Sequence, residues 1–394
     1  LTGRQCSRFG IIRPVNIQCL PWNTETLASA LNSVGYTTGL FGKWHLRSKP
    51  EWGPNHYGFD YSYGSLAGAV HPWQHTYRKG EYEQSWHRNH EFVREKGMHT
   101  DLCTREAISW LEDIGTEKPW LLYFPLQAVH TPVDAPVEYK QMYHDKKYFD
   151  DPKQNESFVR YAAMTTHMDA SVGKIIDYIQ QSGQLENTII VFLSDNGAVE
   201  LEEGQSTGTQ YAGFPLLTSW QLGSNDPLKG QKATMYEGGI RTPAIVYWKE
   251  KTTHEKVTTP LSVVDWMPTL LNLAGFRPKR DLGFDGLDIW PIISGKEKVL
   301  PERAIYIRYI GEMIAVRKGN WKLIKPGNSA FAKLRMPGED RSDQLYNIEK
   351  DPYEANNLAA QHPDVVAELN RILEEEKKKD MPLRDPLNEV FLSK

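Results

Sequence analysis

The chain alternates two hydrophobic patterns, short continuous apolar runs and stretches whose apolar residues recur every three or four positions. Leu27, Leu31 and Val34 fall on one helical face that Gly35 can end, and Tyr36 to Phe41 follows as a strand. Ala107, Ile108, Leu111 and Ile114 predict a second helix, which leads across "EKP" into the strand-like run "WLLYFPL". Phe158, Ala162, Thr165, Val172, Ile176 and Ile179 mark a longer helix before "TIIVFLS". Helix, short loop and buried strand in succession predict an α/β sheet covered by helices. Strands that run apolar without alternating are those buried on both faces.

After about residue 300 the pattern changes. "RAIYIRYIGEMIAVRKGNWKLIK" reads as consecutive strands with a glycine turn at Lys318 to Asn320, which is antiparallel hairpin chemistry. A last helix carries Val365, Val366, Leu369, Ile372 and Leu373 on one side. The reading is two units, 1–298 and a smaller α+β unit 299–394, with the boundary between Gly295 and Arg303.

Composition narrows the class. Apolar residues are 40%, charged residues 24% and aromatic residues 11% of 394 residues, which suits a folded chain rather than a disordered one. The net charge of -4 offers no broad basic surface for a nucleic acid. No run reaches the about 20 apolar residues of a membrane helix. Cys6, Cys19 and Cys103 lack metal-finger spacing and allow one disulfide at most.

Ligands of open α/β sheets sit beyond the carboxyl ends of the strands, so the residues just after each strand are the ones that matter. "GLFGKWHL" delivers Lys43 and His45, "LLYFPLQAVHTP" delivers His130, and "IIVFLSDNG" ends on Asp195 and Asn196. The Gly-rich segment "LKGQKATMYEGGIRTP" adds Lys229, Lys232 and Arg241. Each residue alone has an ordinary explanation in turn or surface chemistry. Together they form cations, imidazoles and an acid–amide pair at one sheet edge, and hard oxygen donors favour Ca²⁺ or Mg²⁺ over zinc. The implied substrate group is a tetrahedral oxyanion, phosphate or sulfate.

Those segments, in this order, resemble the type I sulfatases of the alkaline-phosphatase-like superfamily, and especially the arylsulfatase B-like and bacterial polysaccharide sulfatases. "LTGR" is similar to the end of the family's nucleophile signature, "GYTTGLFGKWHL" to its second signature, and "AVHTP", "SDNG", "KGQKATMYEGGIRTP" and "DQLYNIEKDPYEANNLA" to later blocks. The resemblance implies a large mixed, mostly parallel sheet flanked by helices, with a smaller C-terminal antiparallel subdomain. It also implies hydrolysis of sulfate esters, with Lys43 holding the sulfate, His45 taking a proton from the nucleophile and His130 protonating the leaving alcohol. Lys232 would neutralise sulfate oxygens, and Asp195 and Asn196 would ligate Ca²⁺. A sulfated carbohydrate as substrate, a formylglycine-generating or anaerobic maturase enzyme as partner, and a secreted, periplasmic or lysosomal location follow from the same resemblance.

Two departures from the family pattern stand out. The family's formylglycine position, its signature arginine and its first strand with metal-binding aspartates all fall ahead of Leu1, and Thr2 and Gly3 are expected in the helix behind the nucleophile. Where some relatives carry a serine that touches sulfate, this chain reads "LAGAVHPWQH". His71 and Trp73 are then candidates for sugar contact, an aromatic face being able to stack on a pyranose, with packing under a loop as the other reading of Trp73. Outside the sulfatase reading stand a phosphonate or phosphate ester hydrolase of the same superfamily and a non-catalytic glycan- or oxyanion-binding protein.

Overall fold

The structure is a computed structural model and describes residues 1–13, 20–201, 221–329, 332–333 and 336–382. Helix α1 (Leu27–Asn32) starts at Thr26, whose Oγ1 accepts from Ser29 N (3.1 Å) while Ser29 Oγ accepts from Thr26 N (2.9 Å). The helix stops short of Val34, which is exposed, and the chain enters β1 (Thr37–Lys43). Strands β2 (Tyr61–Ser65), β3 (Trp86–Arg88) and β4 (Glu91–Phe92) follow, then α2 (His99–Ile114) and β5 (Trp120–Tyr123). They form one mixed sheet in the order β4-β3-β2-β1-β5, parallel from β2 through β1 to β5 and antiparallel at β3 and β4.

Adjacent residues of β1 bury opposite faces of that sheet. Phe41 packs with Tyr63, Trp110, Leu111 and Ile175 on one side, and Leu40 with Ala28, Tyr57, Phe59 and Leu66 on the other; neither has any exposed surface (0%). Burial on both faces is why the run is continuously apolar.

Helices α3 (Val137–His144) and α4 (Pro152–Gln181) lead to β6 (Ile190–Leu193) and the short pair β7 (Glu200–Leu201) and β8 (Gln221–Leu222). Next come α5 (Glu237–Ile240), β9 (Ala244–Tyr247), antiparallel to β6, α6 (Trp266–Leu273) and α7 (Trp290–Ile293). The buried seam of α4 is Ser157, Ala163, Met164, His167, Ser171, Ile175 and Ile179, so the expected stripe is rotated and Thr165 is exposed. Small and polar residues make much of that seam, and hydrophobicity alone misjudges such a face.

The C-terminal part is an antiparallel sheet in the order β10-β11-β12-β13. Its strands β10 (Ala304–Arg308), β11 (Ile314–Lys318), β12 (Trp321–Lys325) and β13 (Gln344–Asn347) pair in sequence, with the expected turn at Gly319–Asn320 between β11 and β12. Helix α8 (Pro363–Lys378) covers one face, and all five of its predicted apolar residues pack with Val316, Leu323 and Leu345. A second core under this sheet takes in Met235 and Tyr236, which join Met313, Ile324 and Tyr346 from the C-terminal strands.

Thr2 and Gly3 are not helical. Gly3 takes a left-handed conformation (φ 64°), which no right-handed helix continues through, and a 3₁₀ turn follows over Cys6–Phe9. Cys6 (exposed) and Cys103 (buried) are free thiols, and Cys19 lies outside the described residues.

Candidate active site

The carboxyl ends of β1 and β5 meet where Lys43 N donates to Pro125 O (2.7 Å). Beyond Lys43 the chain stays laddered to the segment after β2, with Trp44 N on Ser65 O (2.8 Å) and His45 N on Leu66 O (3.0 Å). His45 then adopts φ 51°, uncommon for a residue with a Cβ, and its imidazole lies against the backbone of Gly68. A long strand end and one left-handed residue thus deliver a lysine and an imidazole to the same rim.

His130 is fixed by its neighbours in the loop after β5. Its N–H donates to Gln127 O (2.8 Å), and the Gln127 side chain pairs with Val70, accepting from Val70 N (2.8 Å) and donating to Val70 O (2.7 Å). One buried amide therefore fastens the His130 loop to the loop that carries His71. His130 Nδ1 donates to Thr131 O (2.7 Å), because a carbonyl can only accept, and the exchangeable position is left on Nε2.

Asp195 and Asn196 follow β6 in a turn where Ser194 Oγ donates to Asn196 O (2.9 Å) and Gly197 N to Gly239 O (3.0 Å). Lys232 is tied to the same turn, its N–H donating to Ala198 O (3.0 Å).

The charges of these groups act on one another. Burial, and then the charges of Lys43, His130, Lys232 and Arg78, push the His45 imidazole down to about 3. Burial and Lys232 lead in lowering His130 to about 4, with Lys43 adding to the effect and the Thr131 hydrogen bond and Asp195 opposing it. Burial lowers the Lys43 ammonium, and Asp195 opposes that shift. Lys43, His45, His130, Lys232 and Asp195 thus share one electrostatic neighbourhood, and both imidazoles are neutral near pH 7 in the absence of an anion. Such a set suits an anionic group with oxygen on several sides.

His71 and Trp73 are held by local structure. His71 Nδ1 accepts from Trp73 N (3.3 Å) and Gln74 N (3.2 Å), and the half-buried Trp73 donates from Nε1 to Asp134 Oδ2 (2.8 Å). Asp134 Oδ1 also accepts from Lys140 Nζ (2.9 Å) and Arg160 Nη1 (3.0 Å).

Residues 1–276 match the model of the family described as Sulfatase, and residues 230–379 match that of the C-terminal part of N-sulphoglucosamine sulphohydrolase. The chain belongs to the sulfatase family. Its class of reaction is the hydrolysis of sulfate esters. Arylsulfatase J of Mus musculus is 32% identical over 432 residues, covering 98% of this chain and 67% of that protein. The N-acetylgalactosamine-6-sulfatase of the same species is 27% identical over 403 residues, covering 94% and 72%. Among solved structures, Ps i-CgsB in complex with k-i-k-neocarrahexaose aligns with a TM-score of 0.81 at 25% identity, covering 100% of this chain and 84% of that one.

The chemistry of the donors in this sulfatase decides what kind of metal ion they could hold. Asp195 and Asn196 are hard oxygen ligands of the kind Ca²⁺ or Mg²⁺ takes, but Ca²⁺ wants roughly six to eight oxygens. Among the described residues no group of three or more His, Cys, Asp or Glu side chains is placed to hold an ion. The two residues fit a divalent cation in kind and not in number.

Two residues that bear on this candidate site escape the sequence reading. Arg78 sits in the charged run "YRKGEYE", which looks like a solvated loop, yet its charge bears on His45. Gln127 stands three residues before His130, and its side chain marks no chemistry until the Val70 pairing is seen. No described helix is long and apolar enough to cross a membrane.

Proposed function

We propose that this sulfatase cleaves the sulfate ester of a sulfated carbohydrate, with Lys43, His45, His130 and Lys232 acting on the sulfuryl group. The observation that carries the reading is the placement of Lys43 and His45 at the end of β1, His130 in the loop after β5 and Lys232 tied to the turn after β6, close enough that the two lysines act on both imidazoles. The carbohydrate class is supported by the relatives, an N-acetylgalactosamine-6-sulfatase and a protein solved with a neocarrahexaose.

In this reading Lys43 and Lys232 hold sulfate oxygens as compact positive charges. His130 keeps its one neutral-state proton on Nδ1, donated to Thr131 O, so Nε2 is the nitrogen that takes up the mobile proton. An imidazole at about 4 is a poor reservoir of protons at neutral pH, but a bound sulfate ester brings a negative charge beside it. That charge offsets Lys43 and Lys232 and raises His130 toward the range in which it can protonate the leaving sugar oxygen. His45, kept neutral by burial and the surrounding cations, is a proton acceptor. Asp195 and Asn196 would supply two of the oxygen ligands of a Ca²⁺ or Mg²⁺ ion, and such an ion would supply positive charge beside the sulfuryl oxygens. The nucleophile of this reading is formylglycine, installed by a maturation enzyme on a residue ahead of Leu1. Secretion, a periplasm or a lysosome is the location that goes with it.

The test is turnover of matched aryl sulfate, phosphate and phosphonate esters and of sulfated oligosaccharides by the protein expressed at its natural length. Sulfate esters are expected to be preferred, and Lys43→Ala to lose about 10²- to 10³-fold in kcat/KM with little change in Tm. A higher kcat/KM on the phosphate partner would replace this reading with the phosphate hydrolase one. Binding of sulfated glycan without turnover, with formylglycine present by mass spectrometry, would make the protein a binder.

A further inference from the structure

Lys322 on β12 is expected at the surface, because strands of a small antiparallel sheet carry lysines on the solvated face. It is instead buried, with 1% exposure, and its Nζ donates to Glu237 Oε1 (2.8 Å) and Glu354 Oε1 (2.8 Å). The two glutamates are as deeply buried, at 3% and 0%. Glu354 Oε2 also accepts from Glu237 N (2.6 Å), so one carboxylate holds both the side-chain cation and the backbone that opens α5. Arg241 and Arg317 stand further out, at 3.7 and 3.8 Å from Glu237 Oε2.

Three buried charges are a poor way to gain stability, because their desolvation offsets their attraction. What they do well is fix one geometry. Glu237 follows Lys232 in the same Gly-rich segment, and that segment is fastened elsewhere to the C-terminal part. Tyr236 Oη lies 2.8 Å from both Gln344 Oε1 and Glu339 Oε2, its one proton serving one of them at a time, and Lys229 pairs with Glu339 (3.1 Å). On its other side the segment holds the Asp195–Asn196 turn, through Gly197 N on Gly239 O (3.0 Å) and Lys232 N on Ala198 O (3.0 Å).

We infer that Lys322 and Glu354 are positioning residues for the reaction: through Glu237 they clamp the Lys232 segment, and with it the Asp195 turn, against the C-terminal sheet. The inference rests on the reading of Lys232 and Asp195 as groups that act on the sulfuryl centre. The C-terminal part thereby helps to complete the site by holding the Lys232 segment in place.

The experiment combines kinetics with hydrogen exchange on the protein at its natural length. Lys322→Met leaves two buried carboxylates without their cation, and Glu354→Gln is the milder variant that carries the test if the first does not fold. Both are expected to speed amide exchange at least tenfold within residues 229–239 and 196–198 while β1 keeps its protection. Lys322→Met is expected to lose about 10²-fold in kcat/KM and Glu354→Gln about tenfold, with both KM and kcat affected. Lys318→Met, on the neighbouring strand β11 and paired at the surface with Glu368 of α8, is expected to match the unsubstituted protein. A folded variant with unchanged exchange in the segment and unchanged kcat/KM overturns the clamp, as does a uniform rise in exchange with normal kcat/KM. If the unsubstituted protein turns over no sulfate ester, the reading of the reaction fails, and localised exchange still decides the clamp.

Discussion

The backbone of Gly68 lies directly beneath the imidazole of His45. A Cβ at that position would stand 2.1 Å from His45 Cε1 and 2.2 Å from Nε2, inside any van der Waals contact. The glycine is there for space, and the ring it admits is the one that a left-handed backbone turns back toward the rim. Gly68→Ala must therefore move the His45 ring. About 10²-fold loss of kcat/KM is expected, since displacements near 1 Å carry such costs, with Tm little changed. Kinetics and thermal melts on the purified variant check both halves of this expectation.

His130 distinguishes substrates by their leaving groups. With the Nδ1 proton held on Thr131 O, Nε2 is the nitrogen that gains and delivers the mobile proton, and that delivery counts most when the departing oxygen is strongly basic. His130→Ala is expected to lose roughly 10²- to 10⁴-fold on a sugar sulfate and far less on a nitrophenyl sulfate. Equal losses on the two substrates would assign His130 to sulfate binding alone. The measurement is kcat/KM across a series of aryl sulfates of graded leaving-group pKa, with a sulfated oligosaccharide at the far end.

How far the sequence announces this arrangement depends on what made each residue visible. Leu40 and Phe41 are legible because burial on both faces of a sheet leaves an unbroken apolar run, and the strand order brings the carboxyl ends of β1 and β5 together. The five apolar residues of α8 are legible for a different reason, a one-sided core that leaves a helical-period stripe. The seam of α4 is not, because Ser157 and Ser171 are buried there while Thr165 is exposed. His71 and Trp73 show why residue type understates geometry, since an imidazole that accepts two backbone N–H groups reads like any polar loop residue. Lys322 is hidden for a stronger reason, because nothing local marks a lysine whose two partners lie 85 and 32 residues away.

Acidification should weaken the fold through its buried imidazoles. His87, with no exposed surface, is held down to about 4 and His99 to about 3, burial being the leading cause for each. His45 and His130 behave alike, at about 3 and about 4. The unfolded chain takes up these protons near 6.5 and the folded chain only near 3 to 4, so in that window the unfolded state binds more protons. Stability is complete above about pH 6.5 and falls as the pH drops toward 4, by up to about 1.4 kcal/mol per pH unit for each of His87 and His99. Urea unfolding midpoints between pH 7.5 and 4.5 measure the slope. A flat profile would mean that these rings are protonated in the folded protein.

Trp73 offers a test of where the carbohydrate lies. Its Nε1 donates to Asp134, which keeps Lys140 and Arg160 as partners when the indole is removed, so Trp73→Phe costs one hydrogen bond and retains an aromatic face. Trp73→Ala removes the face as well. If that face meets a sugar ring, Trp73→Ala raises KM for a sulfated oligosaccharide about tenfold, Trp73→Phe raises it much less, and neither alters KM for a small aryl sulfate. Trp73 also packs beside Met98, Val133 and Met164, so a purely structural role predicts the opposite pattern. In that case Tm drops in Trp73→Ala and both substrates keep their KM, because the loss falls on the folded fraction rather than on recognition.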